Sequence, residues 1–536
     1  MAGSQSKIRA FVNAPVYLGR GETIANGFVV FRGDRIEEVG PSSALVRRPG
    51  MDIIDLKGKL LLPGLIDCHM HLVSYSVALN GLDLAGTRSL EEGLEMVRSR
   101  LAGMPDGERL SGRGWDKQHW RLEGFPNRSM LDSIAPDNPV VLNSRDGHSV
   151  WVNSLVVEKY GLKKLVGRVE GGEIEVDADG RPTGILKENA ISLVARHPGG
   201  KELARTARMI GAGCRQLATL GLTGVHSVVD ADDARVLDAA RDLNAESATN
   251  AAAGAGGLAL NLVRMREIHS LEDLEPLEPE TGTPFIKIFA DGALGSQSAA
   301  MLEPYCGHPE NTGIVATSRQ DLEKMVFRSM EKGFSLAVHA IGDRANRDVL
   351  DVYEAARRHR PESKALLRLE HAQILADDDI PRFGALGVIA SMQPIHLVGD
   401  MDVADRYWGD RSRNAYAFRG ISGAGGTLAF GSDAPIESPD PLKGIHAAVT
   451  RRDPARPDHP AWYPDQCLTV AEVLDAYTLD AARAGGEGGL AGAIRPGFRA
   501  DFTVLDTNIL AIHEPDAILR TRVAMTVVGG STIFPL

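Results

Sequence analysis

The sequence predicts an α/β protein: a (β/α)8 TIM-type barrel with a lobe inserted after strand 1, plus a small β-sandwich domain built jointly from the N- and C-terminal segments. Three observations carry this expectation. Apolar strand-like runs alternate with helical stretches through the middle of the chain, the pattern of βα units on a parallel sheet. Eight such runs can be counted, the number that closes a barrel. Short alternating β-type runs sit at both ends of the chain, separated by turn residues.

At the N-terminus the runs are "GFVVFRGDRIEEVG" and "MDIIDLKGKLLLPG"; at the C-terminus they are "RADFTVLD" and "AMTVVGGSTIFPL". Two β-rich ends around a different middle suggest that the termini meet in one composite domain, 1–62 with 490–536. The barrel is expected over 63–489. Its candidate strands are "LLPGLIDCH", "TGVHSVVD" (223–230), "GLALNLV" (257–263), "FIKIFADG" (285–292), "SLAVHA" (335–340), "LLRLEHA" (366–372), "GVIASMQ" (387–393) and "GTLAFGSD" (426–433). Roughly 150 residues separate the first two, far more than a βα connection needs, so an inserted lobe is expected over about 75–220.

Composition excludes several classes. The 536 residues are 43% hydrophobic and 24% charged, as in a globular protein, and the length suits one large barrel with additions. A net charge of −12 without a dense basic block argues against a nucleic-acid partner. No apolar run reaches the ~20 residues that span a bilayer, so no membrane partner is expected. The first residues lack a signal-peptide pattern. Cys68, Cys214, Cys306 and Cys467 match no zinc or disulfide spacing, which makes a cytoplasmic setting the simplest. A homo-oligomer stays open.

Active sites of barrels lie at the C-terminal ends of the strands. Polar residues gather there: His69 and His71 on the first strand, Lys287 within the fourth, His339 and His371 ending the fifth and sixth, and Asp433 ending the eighth. Alternate residues of a strand share a side, so His69 and His71 can reach one point above the mouth. Neutral imidazole suits zinc and similar divalent ions, and Asp433 offers a hard oxygen ligand. Each residue also has a plain structural reading. A lone strand-end histidine is usually a hydrogen-bonded core residue, and Asp433 in "GSDAP" can cap the next helix. A lysine buried in a strand needs a partner, and a salt bridge to Asp291 would supply one.

The ordered motifs "DCHMHL", "GWDKQHW", "DGHSVWVNS", "IKIFADGALGSQSA", "HAIGDRANRDVLDVYE", "LEHAQ", "SMQP" and "GSDAPIESPDPLKGI" resemble the amidohydrolase superfamily of metal-dependent hydrolases. The likeness is to its YtcJ-like branch, which includes the N-substituted formamide deformylases, and it covers nearly the whole chain. The resemblance implies a two-metal centre, two zinc ions or other divalent ions. His69 and His71 would hold the buried ion and His339 and His371 the exposed one. Lys287, carboxylated by CO2, would bridge them as a carbamate. Asp433 would bind the buried ion and serve as proton shuttle. The metal lowers the pKa of coordinated water from about 15.7 toward ~7.

The expected reaction is hydrolysis of a C–N (amide-type) bond of a small molecule, with N-substituted formamides or N-acyl amines as substrates and no organic cofactor. A deaminase, or a cyclic-amide, carbamate or ester hydrolase, is the alternative on the same scaffold. A non-catalytic scaffold is the reading from a different class. In the lobe, Trp115, Asp116, His148 and Trp151 are candidate substrate contacts; beside the seventh strand, Gln393 and His396 are the others.

Overall fold

The computed structural model describes residues 7–117, 119–145, 149–169, 172–195, 201–249, 258–279 and 284–535. It contains three sheets among these residues.

The barrel sheet has eight parallel strands in chain order: β1 (Leu65–Met70), β2 (Leu222–Val229), β3 (Asn261–Glu267), β4 (Phe285–Phe289), β5 (Ser335–Ala340), β6 (Leu367–His371), β7 (Ile389–Met392) and β8 (Thr427–Phe430). Each pairs with the next. No ladder joins β8 to β1 among the described residues. The chain just beyond β8 closes the seam instead: Asp433 N donates to His69 O at 2.7 Å and His71 N to Ala434 O at 2.8 Å. Glycine is required at this approach, because a Cβ on Gly431 would lie 2.5 Å from His69 N and 2.7 Å from Asp67 Oδ1. The barrel is therefore nearly closed, and its closing contacts carry three of the candidate ligands, His69, His71 and Asp433.

The run "LLPGLIDCH" is two strands rather than one. Leu60–Pro63 belongs to the terminal sheet and β1 starts at Leu65. Gly64 between them packs so tightly on Thr223 that a Cβ would lie 2.1 Å from Oγ1. The third strand also sits later than "GLALNLV" suggests. Its second half, Arg264–Glu267, is mostly charged, and this hid it from an apolar-run reading. The eighth strand stops at Phe430, so Asp433 lies three residues past its end, with φ +59°.

The terminal sheet runs Ser531–Phe534, Val523–Val528, Phe502–Leu505, Leu60–Pro63, Ile8–Gly19, Glu22–Arg32, Arg35–Pro41, with Asp52–Asp55 paired to Ile8–Gly19. Phe502–Leu505 pairs antiparallel with Leu60–Pro63, so the two ends of the chain share one sheet. Phe11, Phe31 and Phe502 form its aromatic centre, with ring centroids 5.2–5.5 Å apart. Both faces of this packing come from opposite ends of the sequence, which the strand patterns alone do not register.

A second compact unit comprises Val73–Ile210 and the described part of Arg235–Gly254. Its six-stranded sheet runs Gly172–Val176, Pro182–Glu188, Ser149–Val152, Val140–Ser144, Leu110–Trp115, Leu82–Asp83. Trp115, Trp120 and Trp151 are buried in its core.

Candidate metal centre

Three buried side chains converge at the seam. One ligand atom each from His69, His371 and Asp433 lies within 4.8 Å of the others. This grouping places His371 beside His69. Their ring centroids are 4.9 Å apart, against 6.1 Å for His69 and His71.

Each imidazole of the triple is held from behind. His69 Nδ1 lies 2.5 Å from Glu370 Oε2. A carboxylate only accepts, so Nδ1 carries the proton and the Nε2 lone pair faces Asp433, 3.5 Å away. His371 Nδ1 lies 2.8 Å from Gln393 Oε1. Gln393 Nε2 donates to Ser391 O at 3.3 Å, which fixes the amide oxygen toward the imidazole. Nε2 of His371 is thereby also left as a lone pair. Burial, with His339 and His69 alongside, keeps His371 well below the ordinary histidine range and hence neutral, the form that binds metals.

His371, Ala372 and Asp433 all have left-handed backbones, with φ of +72°, +44° and +59°. Such conformations cost about 1–3 kcal/mol each and persist where surrounding contacts enforce them. Beside Asp433, Asp67 supplies the contacts. Its carboxylate accepts from Ser432 N at 3.0 Å, Ser432 Oγ at 2.5 Å and His69 N at 3.1 Å. One buried side chain therefore ties the end of β1 to the segment that carries Asp433.

At this site two of the described buried polar atoms lack a hydrogen bond, Asp433 Oδ1 and Lys287 Nζ. His71 Nε2 is 3.3 Å from that oxygen, an ion-pair distance without hydrogen-bond alignment. Burial opposes ionisation of Asp433, yet His71, His69 and His371 together hold its carboxyl well below the ordinary range. Burial pushes the Lys287 ammonium down to about 8, against the pull of Glu370, Asp433 and Glu267. Lys287 lies 4.3 Å over the Phe289 ring and makes no salt bridge to Asp291. That carboxylate is occupied by the backbone N–H groups of Ala300, Ile341 and Gly342 at 2.8–3.0 Å.

The donor set fits a divalent ion. Two imidazole lone pairs and one ionised, unpartnered carboxylate face one point, and the nearby lysine is uncompensated by any hydrogen bond. His339 is near but turned aside: its ring centroid is 4.6 Å from that of His371, while Nε2 lies 3.1 Å from Gly292 O and 3.4 Å from Asp291 Oδ1.

The remaining candidates divide. Gln393 is fully engaged in holding His371 and is buried, so it orients a ligand candidate. His396 Nε2 lies 3.1 Å from Ser432 O, next to Asp433 in sequence. Trp115 is buried and donates from Nε1 to Leu142 O at 2.7 Å. Trp151 is a core residue of the lobe, 1% exposed. Asp116 accepts from His119 N at 3.1 Å. His148 lies outside the described residues.

Glu370 and Arg368 escaped the sequence reading. They occupy alternate positions of β6, are fully buried, and pair at 2.8 Å. Arg368 also donates to Cys68 O at 2.6 Å and lies 3.0 Å from His226 Nδ1. The available signal was "LRLEH" itself, two opposite charges at i, i+2 inside a buried strand.

Comparison with known proteins agrees with this geometry. The amidohydrolase family model matches residues 52–534. The protein YtcJ of Bacillus subtilis is 32% identical over 91% of this chain and 91% of its own. The N-substituted formamide deformylase of Arthrobacter pascens is 29% identical over 89% of each. A crystal structure of a metal-dependent hydrolase of Pyrococcus furiosus superposes with a TM-score of 0.77 at 28% identity, covering 94% of this chain and all of that one. Fold and site thus define a barrel hydrolase of the metal-dependent type. The chain belongs to the amidohydrolase family.

Proposed function

We propose that this protein hydrolyses a C–N amide-type bond of a small molecule, with an N-substituted formamide or another N-acyl amine as substrate. The observation that carries the reading is the buried, unpartnered Oδ1 of Asp433, 3.3 Å from His71 Nε2 and 3.5 Å from His69 Nε2. The likeness to a formamide deformylase over most of both chains supports the substrate class.

His69, His71, His339, His371 and Asp433 would hold divalent metal, two zinc ions in the full reading, with Lys287 carboxylated as their bridge. The nucleus of the site is His69, His371 and Asp433. A lysine with a pKa near 8 is partly neutral at mildly alkaline pH. Once the ammonium has lost one proton, its neutral amine can form an N–C bond to CO2 and release a second proton to solvent, so that a stranded cation becomes an anion. When bound, the metal supplies a Lewis acid and a more acidic water. Asp433, ionised and free of hydrogen bonds at Oδ1, accepts the proton of the attacking water. The same carboxyl then delivers that proton to the departing nitrogen, without which an amine is a poor leaving group. Glu370 and Gln393 keep two imidazoles in the tautomer this arrangement needs.

A substrate screen with metal-replete protein tests the proposal. N-formyl amines, N-acyl amino acids, cyclic amides, carbamates and esters are compared, with free ammonia measured alongside. Amine release from N-formyl or N-acyl amines is the expected result. Ammonia as the main product, or turnover confined to esters, would replace it with deamination or ester hydrolysis.

A further inference from the structure

The lobe contains a cavity of about 520 Å3 whose lining includes none of the six ligand candidates. The volume is in the range of small-molecule sites. One wall is aromatic. Trp115 and Phe125 meet edge to face with centroids 6.3 Å apart, and Trp151 backs Trp115 at 6.3 Å. The Trp115 indole is pinned by its hydrogen bond to Leu142 O, so the wall is rigid.

The lining also carries Lys117 and Arg145. Neither forms an ion pair among the described residues; Lys117 rests 3.9 Å over the Phe125 ring, a cation–π contact on one side of the ammonium. Lys187, on the same ring at 4.7 Å, is neutralised by Glu173 and Glu175. Asp116 is the described carboxylate of the lining, and it is engaged by His119 N. Ser144 and Ser149 add hydroxyls, with Ser149 N donating to Ser144 Oγ at 3.0 Å. Cations, hydroxyls and a fixed aromatic wall in one cavity suit a planar anion. Guanidinium and ammonium groups bind carboxylates by charge-assisted hydrogen bonds, and an indole edge or face packs on a ring.

We propose that this cavity binds the carboxylate of an aryl or arylalkyl acid. Carboxylate oxygens would meet Lys117 and Arg145 while the ring lies along Trp115 and Phe125.

The test uses full-length protein, benzoate, and the isosteric neutral benzamide, titrated by ligand-observed NMR. Saturable benzoate binding at least tenfold tighter than benzamide is expected. The Lys117→Met/Arg145→Met variant should lose at least tenfold in benzoate affinity. The His69→Ala/His71→Ala variant should retain it, because benzoate can also reach a metal and this variant removes that route. The proposal is overturned if benzoate does not saturate, if benzamide binds as well, or if affinity follows the histidines rather than Lys117 and Arg145. Metal content is measured separately, so failure here leaves the metal reading standing, and loss of the metal reading leaves this pocket testable.

Discussion

His69 Nδ1 and Glu370 Oε2 meet at 2.5 Å in a fully buried pair, and Arg368 completes the arrangement by bonding the same carboxylate. Burial alone would raise the Glu370 carboxyl, but Arg368 and His69 hold it well below the ordinary range. The pair therefore aims the Nε2 lone pair of His69 rather than merely filling the barrel. Glu370→Gln should lower metal affinity about 10–100-fold, the usual consequence of losing such a partner. It should also destabilise the fold by about 3–5 kcal/mol, since Arg368 is left uncompensated. Metal titration of the folded variant is the check, and an unchanged affinity would mean that Glu370 only neutralises Arg368.

Asp433→Asn should preserve the fold and depress turnover. Asn tolerates the left-handed backbone found at this position, so the strand-end bend survives. The lost proton transfer should slow hydrolysis about 10²–10⁴-fold. Thermal unfolding and turnover measured together decide it; near-normal turnover would remove Asp433 as the shuttle.

Lys287→Ala should impair activity, with partial recovery in acetate or bicarbonate, whose carboxylate can occupy the vacated space. The assay is turnover against added acid. Activity like that of the unaltered protein, with no response to acid, would assign Lys287 a packing role.

Acid stability should register Glu472, outside the ligand cluster. Its carboxyl is lowered from 4.5 to about 2 by Arg419, with burial opposing and the Thr469 cap assisting. A depressed folded-state pKa stabilises the fold above pH 4.5, and that contribution is lost as pH falls toward 2. The pair is solvent-screened, so Glu472→Gln should cost about 1 kcal/mol or less at neutral pH. Urea midpoints of the two proteins should converge between pH 5 and 2. A gap that widens on acidification would contradict the ion pair.

Much of this arrangement is legible in the sequence because barrel geometry turns strand ends into a ring. His69, His371 and Asp433 mark three such ends, and the structure brings them within 4.8 Å. The residues behind them are harder to read. Glu370 and Arg368 look like surface charges until both are found at 0% exposure inside β6. Asp67 precedes His69 by two residues, yet its partner Ser432 is 365 residues away, beyond the reach of any local pattern. Strand β3 lies later than its apolar run predicts because its charged half breaks that run. The assignment of the histidines to two ions follows the family resemblance; in space His371 lies beside His69.

Metal analysis of the purified protein tests the central claim most directly. Elemental mass spectrometry should find one to two divalent ions per chain, zinc foremost, and their loss in a His69→Ala/His371→Ala variant that still folds. Equal metal content in that variant, or none in the unaltered protein after incubation with excess zinc, would contradict the account.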